Sequence, residues 1–357
     1  MLETVLLKFG LDISDCLVLP VGNGLINQTW KISHRNREYI LQKVNTDVFK
    51  EPNVIDENLN KLKSFLEQHF PDYIFVAPLK SPSGQTLVET EEGAFRIFDF
   101  VKNSITLNTA EDAQQAYEAA KQFGKFSRLL SGFDASTLHP TIPDFHNLQL
   151  RYNQFKTALE SANAERLKNA AEAIEAIEQQ QYILQKYLDI LSQKLEVPLR
   201  VIHHDTKISN VLFDQNGKGL CVIDLDTVMP GYYISDVGDM MRSYLSPVSE
   251  ESTSFDQIAV RKVFFMAIYK GYMSEMADIL TVTEKDLFIY AGQFIIYMQA
   301  VRFLTDYLNN DVYYGARYET HNLDRAKNQI RLLQEYTEHS KELHLMIEQI
   351  GDLTNIS

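Results

Sequence analysis

The sequence predicts an α+β fold in which a small antiparallel sheet precedes a larger, mainly helical region. Over the first ~100 residues, β-branched and aromatic residues form short segments separated by turn residues, as strands require. From about residue 110 onward the apolar residues recur at helical spacing. A short hairpin interrupts the helices within residues 201–231. These three observations predict a division of the chain into residues 1–101 and 102–357.

The sheet is predicted from six segments separated by turns such as GNG, HRN and SPSG. In chain order the segments are CLVLPV, INQTWKIS, REYILQKV, YIFVAPL, TLVET and AFRIFDFV. A helix from about Val54 to Phe70 is predicted after the third segment, because Leu59, Leu62 and Leu66 recur on one face. Phe98 to Val101 would then connect the sheet to the helical region.

The helical region starts with a segment, residues 112–133, whose spacing places Phe123 and Phe126 for burial. The long charged stretch over residues 147–195 predicts two helices that pack against each other. After the hairpin the sequence predicts mostly helix to the end of the chain. A ligand site is expected in the cleft between the two regions, because pockets favour domain interfaces.

Composition and charge exclude several classes of function. The net charge of −14 and the pI near 5.1 argue against a nucleic-acid partner, whose phosphates need a basic face. No segment has the ~18 uninterrupted apolar residues of a membrane helix. The first residues lack the features of a signal peptide. We therefore expect a cytoplasmic protein with small-molecule partners and no nucleic-acid or membrane partner; the sequence sets no oligomeric state.

Polar residues gather at the open end of the hairpin that is predicted around the Asn216-Gly217 turn. The predicted pairing places Asn210 opposite Asp224, and opposed strand residues have Cβ atoms roughly 4.5–5.5 Å apart. An amide oxygen and a carboxylate at that separation can share Mg²⁺, which prefers oxygen ligands. Asp205 lies on the loop that leads to the same end, and Lys207 adds a positive charge there.

The alternative interpretation of this hairpin is a set of turns in which aspartates accept backbone N–H bonds. Clustered carboxylates without a cation repel one another, and the turn interpretation does not explain what offsets this repulsion. The order Asp205, Asn210, Asp224 is also that of the phosphoryl-transfer template, in which a loop aspartate is followed by two metal ligands. The pattern therefore predicts a phosphotransferase.

The loop from Asp205 to Asn210 and the later Asp224 resemble those of the aminoglycoside phosphotransferase and choline kinase family. These are small-molecule kinases with a protein-kinase-like, two-lobe fold. The resemblance implies that Asp205 orients and deprotonates the acceptor hydroxyl and that Lys207 neutralises charge on the transferring phosphoryl group. It also implies that Asn210 and Asp224 hold Mg²⁺, while Asp226 either contacts a metal or orders the loop.

Three neighbours of this loop are given supporting roles. Asp236 and Asp239 are interpreted as residues that start a helix and cap or brace the catalytic loop. His203 is interpreted as a residue that packs beneath the loop rather than as a base. His204, next to Asp205, is a candidate for substrate contact or for exposure to solvent.

The same resemblance implies that residues 1–101 form the nucleotide-binding lobe and that ATP is the cofactor. The predicted nucleotide contacts lie on the turns, strands and connection of this lobe, and they are Gly22, Asn23, Gly24, Gln42, Lys43, Phe100 and Val101. An ordinary type I′ turn at Asn23-Gly24 is the alternative for the first three. Gln42 stands where the family carries a lysine or arginine, and only one of Gln42 and Lys43 can face the cleft.

Several blocks, among them HHDTKISNVLFD and RFLTDYLNNDVYYGARYETHNLDR, are similar to the bacterial N-acetylhexosamine 1-kinases of this family. The similarity implies phosphorylation of the anomeric hydroxyl of N-acetylglucosamine or N-acetylgalactosamine. The predicted sugar contacts are His204, Arg302, Tyr313 and Arg317, whereas Phe303, Tyr307 and Tyr318 are interpreted as helix-packing aromatics. A kinase for choline, homoserine or an aminoglycoside, and a non-catalytic nucleotide-binding scaffold, are the alternatives.

Overall fold

The computed structural model describes residues 2–21, 27–192 and 196–354, with side chains through residue 350. The predicted phosphate-contacting turn, Gly22, Asn23 and Gly24, lies outside the described residues. The first region contains a five-stranded antiparallel sheet, and its strands follow one another in space as β1-β2-β3-β5-β4. In chain order they are β1 (Cys16–Pro20), β2 (Gln28–His34), β3 (Arg37–Lys43), β4 (Val88–Thr90) and β5 (Gly93–Asp99).

The two faces of this sheet differ. On one face α1 (Leu2–Lys8) buries Val5 and Leu6 against Leu41, Phe95 and other strand residues in a small apolar core. The other face is directed toward the rest of the chain and carries the polar residues of the cleft. The predicted helix is observed as α2 (Pro52–His69). Helix α1 was not predicted, since seven residues give too short a periodic pattern.

The segment YIFVAPL, predicted as a strand, is irregular in the structure. It follows β5 with a backbone hydrogen bond from Leu79 N–H to the carbonyl of Ile97, at 2.7 Å. Pro78 has no N–H to donate and fixes its own φ, so it does not extend a ladder here. The strand prediction for this segment was therefore wrong.

Ten α-helices are described in the helical region, in a bundle around two long helices. The helices before the hairpin are α3 (Ala113–Leu129), α4 (Leu148–Ser161), α5 (Ala164–Asn169), α6 (Ala171–Gln179) and α7 (Tyr182–Ser192). Those after it are α8 (Ile234–Tyr244), α9 (Lys262–Met276), α10 (Val282–Asp286), α11 (Phe288–Leu308) and α12 (His321–Thr354). None of the described helices combines the length and apolarity needed to cross a membrane.

The stretch predicted as two helices, residues 147–195, forms four in its described part. Asn163 interrupts it, because its side chain accepts a hydrogen bond from the N–H of Arg166 and so caps a new helix. Helix α11 is buried on nearly all sides, including Phe294, Val301 and Leu304. It packs against α8 and α12 and so lies at the centre of this region.

The hairpin consists of β7 (Val211–Phe213) and β8 (Gly219–Val222), and a second pair, β6 (Arg200–Ile202) and β9 (Met229–Gly231), flanks it. Val211 pairs with Val222, so Asn210 lies opposite Ile223, whose N–H donates to the Asn210 carbonyl at 2.8 Å. The predicted opposition of Asn210 and Asp224 was therefore wrong by one residue. A register shift between Leu212 and Phe213 also makes the turn end irregular.

The predicted α+β class, with a sheet first and helices after it, is confirmed. The exact division at residue 101 stays a prediction. Strand β5 ends at Asp99 and α3 begins at Ala113, and between them Ile105 exchanges backbone hydrogen bonds with Phe213 of the hairpin. The connection is thus attached to the hairpin that follows the predicted catalytic loop.

Candidate active site

The loop between β6 and β7 brings three of the predicted residues together. Lys207 Nζ lies 2.9 Å from Asp205 Oδ2. Asn210 Nδ2 donates to the backbone carbonyl of Asp205 at 2.9 Å and to its Oδ2 at 3.1 Å. The carboxylate of Asp205 is therefore held by an ammonium and an amide. Burial alone would lower the pKa of Lys207, but the carboxylates of Asp205 and Asp224 raise it, so Lys207 is a cation.

Two aspartates of α8 hold the backbone of this loop. The two carboxylate oxygens of Asp236 accept hydrogen bonds from the N–H groups of His203 and His204, at 2.9 and 2.7 Å. Asp239 Oδ2 accepts from Thr206 N–H at 2.8 Å. The bracing interpretation is confirmed. Asp236 lies in the first turn of α8, as predicted, although the N-cap residue of this helix is Tyr233.

The two histidines before Asp205 are buried. His203 contacts the ring of Phe123 edge-on, and its Nε2 lies 2.9 Å from the carbonyl oxygen of Ile223, which confirms its packing role. His204 has a left-handed backbone with φ of 66°, which costs roughly 1–3 kcal/mol in a non-glycine residue. Gly231 faces it, because a Cβ there would lie 2.5 Å from His204 Nε2. His204 is therefore not exposed to bulk solvent.

Burial lowers the pKa of His204 to about 3, well below that of an exposed histidine. Below pH ~6.5 the unfolded chain takes up a proton at this position that the folded chain does not, so the free energy of unfolding decreases as the pH is lowered. We expect His204→Asn, whose side chain tolerates positive φ, to make the free energy of unfolding less dependent on pH between ~6.5 and ~4. The slopes should differ by up to ~1.4 kcal/mol per pH unit, measured by urea denaturation. Equal slopes would contradict a buried neutral His204.

Carboxylates converge on a small pocket below the sheet. It is lined by Asn27, Phe49, Asp205, Asp224, Asp226 and Thr227. Asp224 has a left-handed backbone, with φ of 60°, that turns it out of the hairpin ladder. The Asp224 side chain reaches solvent through the cleft, yet protein surrounds its carboxyl group on the other sides. That desolvation, with the charges of Asp226 and Asp205, raises the pKa of Asp224 to about 7. The pocket thus has an excess of negative charge.

Asp226, the third carboxylate, is buried and engaged by the first region. Asn27 Nδ2 donates to its Oδ2 at 2.8 Å. Arg96 Nη2 lies 2.5 Å from its Oδ1, and both side chains are almost fully buried. These contacts link the hairpin to β5 across the cleft. The assignment of Asp226 to a metal stays a prediction.

The register of the sheet shows which predicted nucleotide contact faces the cleft. Gln42 of β3 pairs with Arg96 of β5, and its Oε1 accepts hydrogen bonds from Nε and Nη2 of Arg96, at 3.2 and 2.9 Å. Lys43 lies on the opposite face, with Nζ 6.0 Å from the centroid of the Phe95 ring in the α1 core. Of the two, only Gln42 faces the cleft. Phe100 follows β5, and Lys31 Nζ lies 4.0 Å from its ring centroid.

Val101, the last of the predicted nucleotide contacts, belongs to the connection between the two regions. Its carbonyl oxygen accepts a hydrogen bond from the Ser104 hydroxyl at 2.6 Å, which turns the chain toward the hairpin. Its role in nucleotide binding, like that of Phe100 and Gln42, stays a prediction.

Two of the predicted sugar contacts lie together at the end of α11. The Arg302 guanidinium carbon lies 5.9 Å from the ring centroid of Tyr313, 5.6 Å from that of Tyr314 and 5.4 Å from that of Phe145. Asp306, one helical turn later, accepts the N–H groups of Tyr313 and Tyr314 at 2.7 and 2.9 Å. The loop after α11 is thereby fixed against the helix, and the guanidinium lies among three aromatic rings.

The sequence profile of the Phosphotransferase enzyme family matches residues 18–260, which include the sheet, the catalytic loop and the hairpin. The chain belongs to this family. The predicted membership of a phosphotransferase family is therefore confirmed.

Solved structures show that the fold of this phosphotransferase is protein-kinase-like. A spectinomycin phosphotransferase in complex with ADP and spectinomycin matches with a TM-score of 0.58 and 14% identity, over 94% of this chain and 96% of that one. A microcompartment-associated aminopropanol kinase gives 0.57 and 14% over 96% and 97%. Choline kinase from Cryptosporidium parvum gives 0.55 and 16% over 98% and 96%. At these identities the likeness concerns the fold alone.

The other residues that were assigned to the sugar site or to helix packing lie in different environments. Arg317 is exposed, and its Nη1 lies 3.7 Å from Glu251 rather than with the Arg302 aromatics. Phe303 and Tyr307 are buried, which confirms their packing role. Tyr318 is 45% exposed, and its ring centroid lies 4.9 Å from that of His321, the buried first residue of α12, so its assignment to helix packing stays a prediction.

Three residues near the site were missed. His146 precedes α4, and its ring centroid lies 5.3 Å from that of His204. Arg151 follows on α4, and burial together with the charge of Arg302 lowers its pKa. His146 Nδ1 and Arg151 Nε are buried, and neither has a hydrogen-bond partner among the described residues. Arg96 was not predicted because the family resemblance places the cation on the third strand. The signal that identifies it is an arginine on the neighbouring strand, at a position whose side chain faces the cleft.

The hairpin end suits a magnesium ion. Its donors are oxygen atoms, the type that Mg²⁺ prefers, and Asp226 Oδ1 accepts no aligned hydrogen bond from any described residue. Asn210 directs its amide nitrogen to Asp205, which leaves the amide oxygen for a cation. Among the described residues no three His, Cys, Asp or Glu side chains form a metal cage. One or two protein ligands completed by phosphate oxygens are the usual arrangement for Mg²⁺.

Proposed function

We propose that this phosphotransferase uses ATP and Mg²⁺ to phosphorylate the anomeric hydroxyl of an N-acetylhexosamine, with the 1-phosphate and ADP as products. The observation that carries the proposal is the cluster of Arg302, Tyr313, Arg151 and His146 beside the loop of Asp205. Guanidinium and imidazole groups donate to sugar hydroxyl and amide oxygens, and aromatic rings pack against the faces of pyranose rings. The ADP complex of the spectinomycin phosphotransferase supports an adenine nucleotide as donor.

Asp205 is the base of the proposed reaction. Its carboxylate accepts the proton of the anomeric hydroxyl as that oxygen forms a bond to the γ-phosphorus of ATP. The bond from the γ-phosphorus to the β,γ-bridging oxygen breaks, and ADP leaves with the bonding electrons. The ring oxygen makes the anomeric hydroxyl more acidic than other sugar hydroxyls, which makes it a favourable target for a carboxylate base.

Lys207 and Asn210 prepare Asp205 for this step. Lys207 lies 2.9 Å from Oδ2 and, as a cation, stabilises negative charge on the phosphoryl group in transfer. Asn210 fixes the orientation of the carboxylate from the same side. Magnesium, when bound by Asn210 and Asp224, would neutralise charge on the β- and γ-phosphates. The backbone bonds of Asp236 and Asp239 hold the loop in place throughout.

The acceptor side of the cleft favours an uncharged acceptor. Arg302 and Arg151 bring two positive charges near His146, whose own pKa is lowered well below the usual range by burial and by these charges. A cationic acceptor such as choline or an aminoglycoside would be repelled there, because like charges disfavour each other at short range. The cationic alternatives, choline and an aminoglycoside, are therefore less well suited than a neutral, hydroxyl-rich ring.

An acceptor panel tests the proposal. Purified protein with ATP and Mg²⁺ is offered N-acetylglucosamine, N-acetylgalactosamine, glucose, choline, homoserine and kanamycin, with ADP release as readout. We expect turnover with the N-acetylhexosamines and a product that has lost its reducing end, because the anomeric oxygen is phosphorylated. Turnover confined to choline, homoserine or kanamycin would overturn the sugar assignment and leave the family membership intact.

We expect Arg302→Ala to raise the KM for the sugar by about tenfold or more while the KM for ATP changes by less than about twofold. The physical reason is the loss of a charge-assisted hydrogen bond to the acceptor, which contributes roughly 1.5–3 kcal/mol. Initial rates over a matrix of sugar and ATP concentrations measure both constants. Arg331→Ala is the matched control, because Arg331 pairs with Glu335 on the surface of α12, away from the cleft. An unchanged sugar KM in the Arg302 variant would remove this residue from the site.

A further inference from the structure

The cleft-facing side of the sheet carries a deeply buried guanidinium, that of Arg96. Its side chain is 4% exposed, and Nε and Nη2 both donate to the Oε1 of Gln42, at 3.2 and 2.9 Å. The guanidinium carbon lies 5.2 Å from the ring centroid of Phe98, on the same strand and face. Gln42 and Phe98 therefore fix the direction of the arginine toward the carboxylate pocket.

The ion pair between Arg96 and Asp226 is incompletely satisfied. Nη2 and Oδ1 are 2.5 Å apart, yet Oδ1 accepts no aligned hydrogen bond from any described residue. A buried ion pair offsets its desolvation cost only when the geometry is good and the remaining lone pairs are bonded. Asp226 Oδ1 therefore has no aligned donor among the described residues, and Arg96 is held to it by charge rather than by an aligned hydrogen bond.

The position of Arg96 suits a phosphate. Gln42, which stands where a basic residue would contact the nucleotide, is neutral and is the cross-strand partner of Arg96. The arginine thus supplies the positive charge at the place where Gln42 lacks it. A guanidinium offers a planar set of donors that matches phosphate oxygens in pairs. Gln42 accepts two of these donors and so orients the rest.

We propose that Arg96 binds the phosphates of the nucleotide and that its ion pair with Asp226 is the resting arrangement that nucleotide binding replaces. This inference rests on the proposed use of ATP. In the resting arrangement the arginine neutralises one of three clustered carboxylates, Asp205, Asp224 and Asp226. When phosphate oxygens bind the guanidinium, Asp226 loses its partner of opposite charge, and a divalent cation held in the pocket would supply the compensating charge.

Nucleotide binding without turnover tests this role. The dissociation constants of ADP and adenosine are measured by calorimetry for the full chain and for Arg96→Gln, first in EDTA and then with Mg²⁺. We expect the variant to bind ADP about tenfold more weakly or worse, and adenosine within about twofold of the original chain. A parallel loss of ADP and adenosine, or an unchanged ADP affinity, would overturn the role of Arg96.

A second pair of variants separates phosphate binding from simple neutralisation of Asp226. Arg96→Gln alone leaves Asp226 buried without its cation, and this can destabilise the chain. In the double variant Arg96→Gln/Asp226→Asn the buried charge is gone, so we expect the thermal midpoint to recover while ADP binding in EDTA stays weak. Recovery of ADP binding together with stability would overturn the proposal. Arg96→Lys keeps the positive charge and loses the paired donors of the guanidinium, so its ADP affinity should lie between those of the original chain and Arg96→Gln.

Lys43→Gln is the matched control, because Lys43 is the next residue after Gln42 and its side chain lies on the opposite face of the sheet. We expect its ADP affinity to equal that of the original chain. A loss as large as that of Arg96→Gln would show that affinity follows net charge alone, against the proposal. If the original chain bound neither ADP nor adenosine, both the proposed use of ATP and the role of Arg96 would be contradicted. If Arg96→Gln still bound ADP more tightly than adenosine to the same degree as the original chain, only the role of Arg96 would be contradicted.

Discussion

Asp205→Asn is expected to lower kcat by a factor of ~10² or more while the affinity for nucleotide changes little. The variant keeps the shape of the side chain and an oxygen for Asn210, but an amide cannot accept the acceptor's proton. Lys207 loses the carboxylate with which it pairs at 2.9 Å, so the charge beside the phosphoryl group also becomes less well placed. Single-turnover rates and calorimetric ADP binding measure the two effects separately.

Asp214→Asn is the control for this prediction. Asp214 lies in the turn of the same hairpin, where its Oδ1 accepts the N–H groups of Asn216 and Lys218 at 2.8 and 2.9 Å. An amide oxygen can accept the same bonds, so kcat should stay within about twofold of the original. If Asp205→Asn retained full turnover, or if the control lost as much, proton transfer to Asp205 would be refuted.

The catalytic loop was predictable because its residues are close in sequence. Asp205, Lys207 and Asn210 lie within six positions of one another, and a single short turn of chain brings them into contact whatever the rest of the fold does. The five strands of the sheet were predictable for a similar reason, since a segment of β-branched and aromatic residues bounded by turn residues is a local pattern. Family resemblance then supplied roles that spacing alone did not.

The residues that were missed depend on contacts between distant parts of the chain. Arg96 reaches Asp226 only because β5 lies beside β3 in the sheet, and His146 reaches His204 only because the loop before α4 folds back over β9. Neither contact leaves a periodic trace in the sequence. The one-residue error at Asn210 has another cause: Val211 pairs with Val222, the register that a two-residue turn at Asn216-Gly217 gives, and one step outward from that pair reaches Ile223 rather than Asp224.

A chain of partly buried charged side chains connects the catalytic loop to α12. Arg242 bonds Asp239 at 2.9 Å and Glu250 at 2.6 Å, and Arg325 of α12 bonds Glu250 from the other side at 2.6 Å. Burial alone would raise the pKa of Glu250, but the two guanidinium groups lower it, so the carboxylate stays charged. Because each charge has a partner of opposite sign, the position of α8 is fixed by both the loop and the last helix.

The close contact of α8 with α11 leads to the largest stability effect that we expect. Gly238 lies between Asp236 and Asp239 in sequence and packs directly on α11, where a Cβ would overlap the carbonyl oxygen of Ala291 and lie 2.6 Å from Ile295 Cγ1. The Ala291 carbonyl belongs to the backbone of α11 and cannot rotate away as a side chain can. Gly238→Ala should therefore separate α8 from α11 and lower the free energy of unfolding by ~3 kcal/mol. Urea denaturation followed by circular dichroism measures this change.

The same displacement should reach the chemistry, because the two aspartates that flank Gly238 hold His203, His204 and Thr206. We expect the folded Gly238→Ala variant to show a lower kcat well below its unfolding temperature. Gly132→Ala is the control: a Cβ there would meet only the Phe65 ring, at an ordinary 3.7 Å, so stability and kcat should change little. A Gly238 variant as stable and as active as this control would mean that the α8–α11 contact does not position the catalytic loop.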